Sequence, residues 1–354
     1  MDRRRYLRGV LAVATVPVAG CSGDGGDTPT PTETATTTAG TPTETATPGV
    51  ADYIETAETE LGRASDEMNQ ESEGFDEVEG NAGFETEPIL SHLDEADAAL
   101  EAVEGNATDE QQEKIDALAA TSEWLRTTTG VLDDFTTMMG HVETGLGHFD
   151  NNRFEDAIAA LQDGQTARED VSDQLVIAND ELESIDADQL GDVDEFDLES
   201  VRNSFEELNS VVDTMEYFIS AFIDMVRGFQ DFFPAATAYD EGEYADSIDG
   251  FADARDHFVT ARSTFEEGES AATTDLESTI RELTCLAGAM RDGAEHYRTA
   301  AEAAEMGNTD EADQAVERAQ NAMDRCENET AQHVIKRIHG YRVKRFSLAT
   351  PRKN

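Results

Sequence analysis

Across 354 residues the chain carries 78 acidic and 25 basic side chains, a formal net charge of −53. A surface this acidic repels phosphate backbones, which argues against nucleic acid as a partner. Hydrophobic residues make up 38% of the chain, enough to bury a sizeable core at this length.

The charge falls in three blocks. Residues 1–20 carry four arginines and one aspartate, residues 22–333 carry 14 bases against 77 acids, and residues 334–354 carry seven bases and no acid. Lys114 is the only lysine of the middle block.

The first element is Arg3-Arg4-Arg5-Tyr6-Leu7-Arg8, an uncharged run over 9–18, and then Val18-Ala19-Gly20-Cys21. An apolar run of about ten residues is too short for a bilayer core, which takes about twenty, and suits the middle of a signal peptide. Arg3 and Arg4, followed by Tyr6 and Leu7, resemble a twin-arginine export signal. Residues 18–21 resemble a lipobox, where small side chains let the processing enzymes approach the backbone. The resemblance implies removal of residues 1–20 as a signal peptide and a covalent lipid on Cys21, anchoring the chain to the outer face of the cell membrane.

Residues 28–48 hold eleven threonines and four prolines, with PTETAT at 31–36 and again at 42–47. Such a segment has little to bury and proline stiffens it, so 21–49 is expected to be a disordered linker lifting a domain off the membrane. Thr/Pro stalks of this kind also take O-glycans on cell exteriors. The acid-rich, lysine-poor body behind an export signal resembles haloarchaeal surface lipoproteins, which implies a habitat and a location but no activity. In molar salt the screening length is about 3 Å, so the acid excess reads as a solvated surface rather than a steering field.

From Val50 to about Gly340 the composition predicts a helical domain, with Pro88 and Pro234 as the expected interruptions and no strand-like alternation. Thr108-Asp109-Glu110-Gln111 has the form of a capping box. In 198–233, the residues Asp213, Glu216, Ser220, Asp224, Arg227 and Asp231 recur at spacings of 3 and 4 on an otherwise apolar segment. One narrow polar stripe predicts a helix surrounded on most sides. Charges so spaced disfavour a membrane span, where each costs about 3 kcal/mol.

Three segments, 149–161, 239–251 and 304–316, align on one pattern of helix end, Asn/Asp/Gly turn and new helix. Ala157, Ser247 and Ala312 take the same place in each, small enough for two helices to close, with an aromatic packing back over the turn. The pattern resembles the inter-helix turn of tetratricopeptide repeats, although spacings of 90 and 65 residues do not form that family's regular array. The expected fold class is therefore all-α: long antiparallel helical hairpins packed as a bundle or irregular tetratricopeptide-like solenoid. Cys285 lies 22 residues before Gly307 and Cys326 lies 19 after it. On antiparallel helices they come within roughly 5 Å along the axis, compatible with a disulfide in a chain outside the cytoplasm.

Residues 186–197, DADQLGDVDEFD, place Asp186, Asp188, Asp194 and Asp197 around Gly191 much as a calcium loop does. Leu190 stands where an oxygen donor is usual and Asp197 where a longer Glu is usual, so a solvated loop is the plainer expectation. His141 and His148, seven apart near Met138, Met139 and Asp150, form a second metal-capable face, with a core-facing helix as the plainer alternative. His92 and Glu95 carry a His-x-x-Glu spacing too short to weigh. No nucleophile elbow, phosphate loop or dinucleotide fingerprint is present, so an enzyme is not expected. Asn106 and Asn328 begin N-glycosylation acceptors. The basic tail, starting at Lys336 and running through 341–354, is able to fold on the acidic body, touch anionic lipid, dock an acidic partner or stay solvated. Together these features predict a lipid-anchored, non-enzymatic binding or scaffolding module for an envelope protein partner. The alternative is a metal- or solute-binding helical bundle at the cell surface.

Overall fold

Alternation of spacings 3 and 4 governs the buried positions of nearly every helix. The computed structural model describes residues 49–74, 84–103, 105, 107–185, 198–272 and 274–326. Among these lie eight helices: α1 Val50–Gly74, α2 Thr86–Glu101, α3 Asp109–Asp150, α4 Phe154–Ser184, α5 Leu198–Glu241, α6 Tyr244–Ala271, α7 Thr274–Glu305 and α8 Thr309–Met323. No strand occurs among the described residues, and the fold is all-α as expected. Residues 1–48, Asn106, the 186–197 loop, Asn328 and the basic tail lie outside the described residues.

Each helix packs on the next along the chain, with α1 also meeting α3 and α5 also meeting α7. The longest rods, α3 with 42 residues and α5 with 44, run about 63 and 66 Å. On α5 the buried Val211, Met215, Phe218, Phe222, Met225, Phe229 and Phe232 follow the 4-3 pattern, and Val201, Phe205, Leu208 and Val212 begin a second seam. Two seams on one helix bury it on more than one side: Phe205 meets Trp124 of α3 and Phe232 meets Phe251 of α6. The expected polar stripe threads between the seams, with Glu216 meeting Arg168 of α4 at 3.2 Å. A period of 3.5 favours left-handed packing with crossing angles near +20°.

On α6, Ser247, Ala254, Ala261 and Gly268 recur every seven residues, as do Phe251, Phe258 and Phe265, and all are buried. Small positions let the helices close and the phenylalanines fill the space beside them. A Cβ on Gly228 of α5 would lie 2.6 Å from Phe258, and one on Gly268 would lie 2.7 Å from the Tyr217 Cβ. Ring contacts extend across four helices: Phe149 to Phe229 at 5.4 Å, Phe229 to Phe258 at 5.2 Å, Phe232 to Phe251 at 5.3 Å and Phe251 to Tyr297 at 5.3 Å. Each fully buried ring contributes roughly 1.5–3 kcal/mol over its exposed state.

The three aligned turns share one hydrogen-bond pattern. Asn152, Gly242 and Gly307 take the left-handed conformation, with φ of 57°, 84° and 79°. Their N–H groups donate three residues back, and the next residues, Arg153, Glu243 and Asn308, donate five back to His148, Ala238 and Ala303. These are Schellman ends, in which the left-handed residue satisfies carbonyls the helix leaves open. Ala157, Ser247 and Ala312 are buried at the start of the second helix, and Phe149–Phe154 and Tyr239–Tyr244 cover the first two turns. The third turn has Thr309 at the place of the aromatic. Thr108 forms the expected capping box, accepting from the Gln111 N–H at 3.3 Å while its own N–H donates to Oε1 at 2.9 Å.

Neither proline ends a helix, contrary to expectation. Pro88 is the third residue of α2, where the missing N–H had no intrahelical partner. Pro234 lies inside α5, which continues to Glu241. Buried Phe229, Phe232 and Ala235 on either side hold the helix against its neighbours, outweighing a cost of about 3 kcal/mol. Cys285 and Cys326 are disulfide-bonded with Cα atoms 6.1 Å apart, joining α7 to the third residue past the end of α8. Among the described residues no helix is long and apolar enough to cross a membrane.

Candidate docking cleft

The α3–α4 and α5–α6 turns stand side by side and enclose a cleft of about 910 Å³. The first turn contributes Asn152, Arg153, Phe154, Glu155 and Asp156. The end of α5 contributes Gln230, Asp231, Phe233, Pro234 and Glu241, and the start of α6 contributes Glu243, Asp246 and Gly250. The Schellman geometry explains this placement, because each left-handed residue turns the chain sharply and brings the next helix's first residues to the cleft edge.

Phe154 and Phe233 stack with centroids 5.8 Å apart and planes inclined by 12°, both half-buried. Beside them Pro234 has no N–H to donate to the Gln230 carbonyl, and both residues line the cleft. The helix thus leaves a backbone acceptor there without its helical donor. The rim carries six carboxylates and one guanidinium. Arg153 is engaged by His148 across the turn and by Asp156 at 3.7 Å.

Burial pushes the Asp231 carboxyl above its ordinary range; His257 opposes this and Asp253 adds to it. His257 places Nε2 3.6 Å from Asp231 and Nδ1 3.8 Å from Asp224, linking α6 to the polar stripe of α5. Ring faces, a carbonyl without its helical donor and an acidic rim suit a basic side chain with an apolar stem, above all an arginine that stacks on an aromatic while donating to oxygen.

The residues singled out from sequence are dispersed. His141 packs against Gly164 of α4, His148 bonds Arg153, and Met138 and Met139 are in the core. His92 places Nδ1 2.7 Å from the buried Glu60 of α1, which also accepts from Arg63 at 2.6 Å. Among the described residues no three His, Cys, Asp or Glu side chains gather to hold a metal ion. Phe154, Phe233 and Pro234 were not singled out as site residues. Their signal was a proline four residues after Gln230 inside a seam that never loses its period. Comparisons with protein families, curated proteins and solved structures give no match to this chain.

Proposed function

We propose that this chain is anchored by lipid on Cys21 outside the cell membrane and acts as a non-enzymatic docking or scaffolding module for an envelope protein. The observation that carries the proposal is the cleft at the hairpin ends, where a helix-interior proline, a stacked ring pair and an acidic rim coincide. Packing around Pro234 tolerates the proline, and a carbonyl left without its helical donor in the cleft is a feature that a binding role uses. The disulfide supports a place outside the cytoplasm, because such bonds persist in oxidising compartments. A basic, arginine-bearing segment of the partner is the complement of this cleft.

Site-specific photo-cross-linking in intact envelopes tests the proposal. A cross-linker at Asp246 on the rim is expected to capture one envelope protein through a peptide richer in bases than acids. A cross-linker at exposed Glu123 of α3, away from the cleft, is expected not to. Equal capture from both positions, or none from Asp246, contradicts it.

A further inference from the structure

Bases outnumber acids in a groove among the described residues of the acidic body. About 330 Å³ in volume, it is lined by Arg262 of α6, Arg291 and Asp292 of α7, Arg325 after α8, and both cysteines of the disulfide. Three guanidinium groups from three parts of the fold converge there, in a segment with 14 bases against 77 acids. Arg262 donates through Nε and Nη2 to Glu266, Arg291 through Nε and Nη2 to Asp292, and Arg325 through Nε to the Ala322 carbonyl and through Nη2 to Asp292. Among the described residues these bonds leave Nη1 of each arginine for a further acceptor. The two cysteine residues are unequal: Cys285 is exposed and Cys326 is 2% exposed.

We infer that this groove receives a small anionic thiol and that the Cys285–Cys326 disulfide opens there by thiol–disulfide exchange at Cys285. The anionic group of the thiol sits on the free guanidinium N–H groups, as carboxylates and sulfonates do on arginine. Its thiolate attacks the Cys285 sulfur, the S–S bond breaks, and the electron pair leaves on Cys326 as a thiolate beside Arg325. The product is a mixed disulfide on Cys285. A second thiolate then attacks the mixed disulfide, forms the oxidised thiol pair and leaves Cys285 reduced, so two thiols supply the two electrons. Nearby guanidinium charge favours the attacking and the departing thiolate alike. Opening the bond frees the residues just past α8 from α7, so the groove couples the redox state outside the cell to the tether of the last hairpin.

The test compares 2-mercaptoethanesulfonate with 2-mercaptoethanol on the folded chain in molar salt, each rate divided by that thiol's rate on an uncharged reference disulfide. Molar salt screens the acidic body and leaves contacts. The normalised rate is expected to be about five-fold higher for the sulfonate, the rate equivalent of one exposed charge contact. Arg291→Gln with Arg325→Gln is expected to return the ratio to one, and Asp292→Asn to raise it. Because both thiols are measured on each variant, a general loosening of the fold cancels in the ratio. Trapping the first adduct for mass spectrometry is expected to place it on Cys285. A ratio of one in the unsubstituted chain, a ratio unchanged by the arginine substitutions, or a first adduct on Cys326 overturns the inference.

Discussion

Gly140 and Gly228 lie inside α3 and α5, and replacing each with alanine makes one chemical change in two surroundings. Both substitutions gain about 1 kcal/mol of helix propensity. A Cβ at Gly140 meets nothing within 4 Å, so that gain is kept. A Cβ at Gly228 comes within 2.6–2.8 Å of three ring atoms of Phe258, a residue with 0% exposure. That ring is held edge-on to Phe229 at 5.2 Å and has no space to retreat, so overpacking costs about 2–3 kcal/mol. The two variants should therefore differ by about 2–3 kcal/mol, Gly140→Ala being stabilised by about 1 and Gly228→Ala destabilised by about 1–2. Thermal melts followed by circular dichroism should separate them by several degrees, at about 2–4 °C per kcal/mol for a body of this size. A serial helical array also unfolds in parts, so hydrogen exchange over α5 and α6 should show the Gly228→Ala loss there first. Adding Phe258→Leu should recover part of the loss. Equal shifts of the same sign in both variants would mean that α5 and α6 do not meet at this point, and would refute the packing described.

Pro234→Ala restores a donor to the Gln230 carbonyl and should stabilise the chain by up to about 3 kcal/mol while weakening cross-linking from Asp246; a loss of stability in denaturant titration would contradict the role given to that carbonyl. Hydrogen bonds from Arg298 hold the Glu295 carboxyl below its ordinary range; burial opposes this, and Arg255 adds to the lowering. Its contribution is therefore present above about pH 4.5 and lost as pH falls through the depressed value. Glu295→Gln should lower the melting temperature at neutral pH and match the unsubstituted chain in acid; a gap that persists at low pH would refute the ion pairing. Serine at both Cys285 and Cys326, which are 41 residues apart, should cost about 4 kcal/mol in the loop-entropy picture and speed hydrogen exchange in α8, with unchanged exchange counting against it. Elemental analysis of the chain from its native host should find no stoichiometric metal, and one metal per chain would favour the rival metal-binding bundle.

Helix content, the three turns, the Thr108 cap and the cysteine pairing were legible because each rests on local chemistry. Left-handed Gly or Asn, a small residue five positions on, and counting along antiparallel rods need no knowledge of distant contacts. Pro234 departs from expectation for the opposite reason. Its local rule predicts a break, and only the burial of Phe229, Phe232 and Ala235 shows why the helix continues. The cleft was hidden similarly, since Phe154 and Phe233 are 79 residues apart and meet only once α4 lies on α5. The 3.5-residue period of α5 and the seven-residue recurrence on α6, by contrast, are properties of the sequence alone.

Lipid attachment at Cys21 underlies the proposed role, because a docking module outside the cell needs its tether. Mass spectrometry of the N-terminal peptide of the mature chain, taken from native membranes, tests this most directly. The account predicts a peptide beginning at Cys21 and carrying the mass of covalent lipid. A peptide beginning at Met1, or an unmodified Cys21, would contradict it.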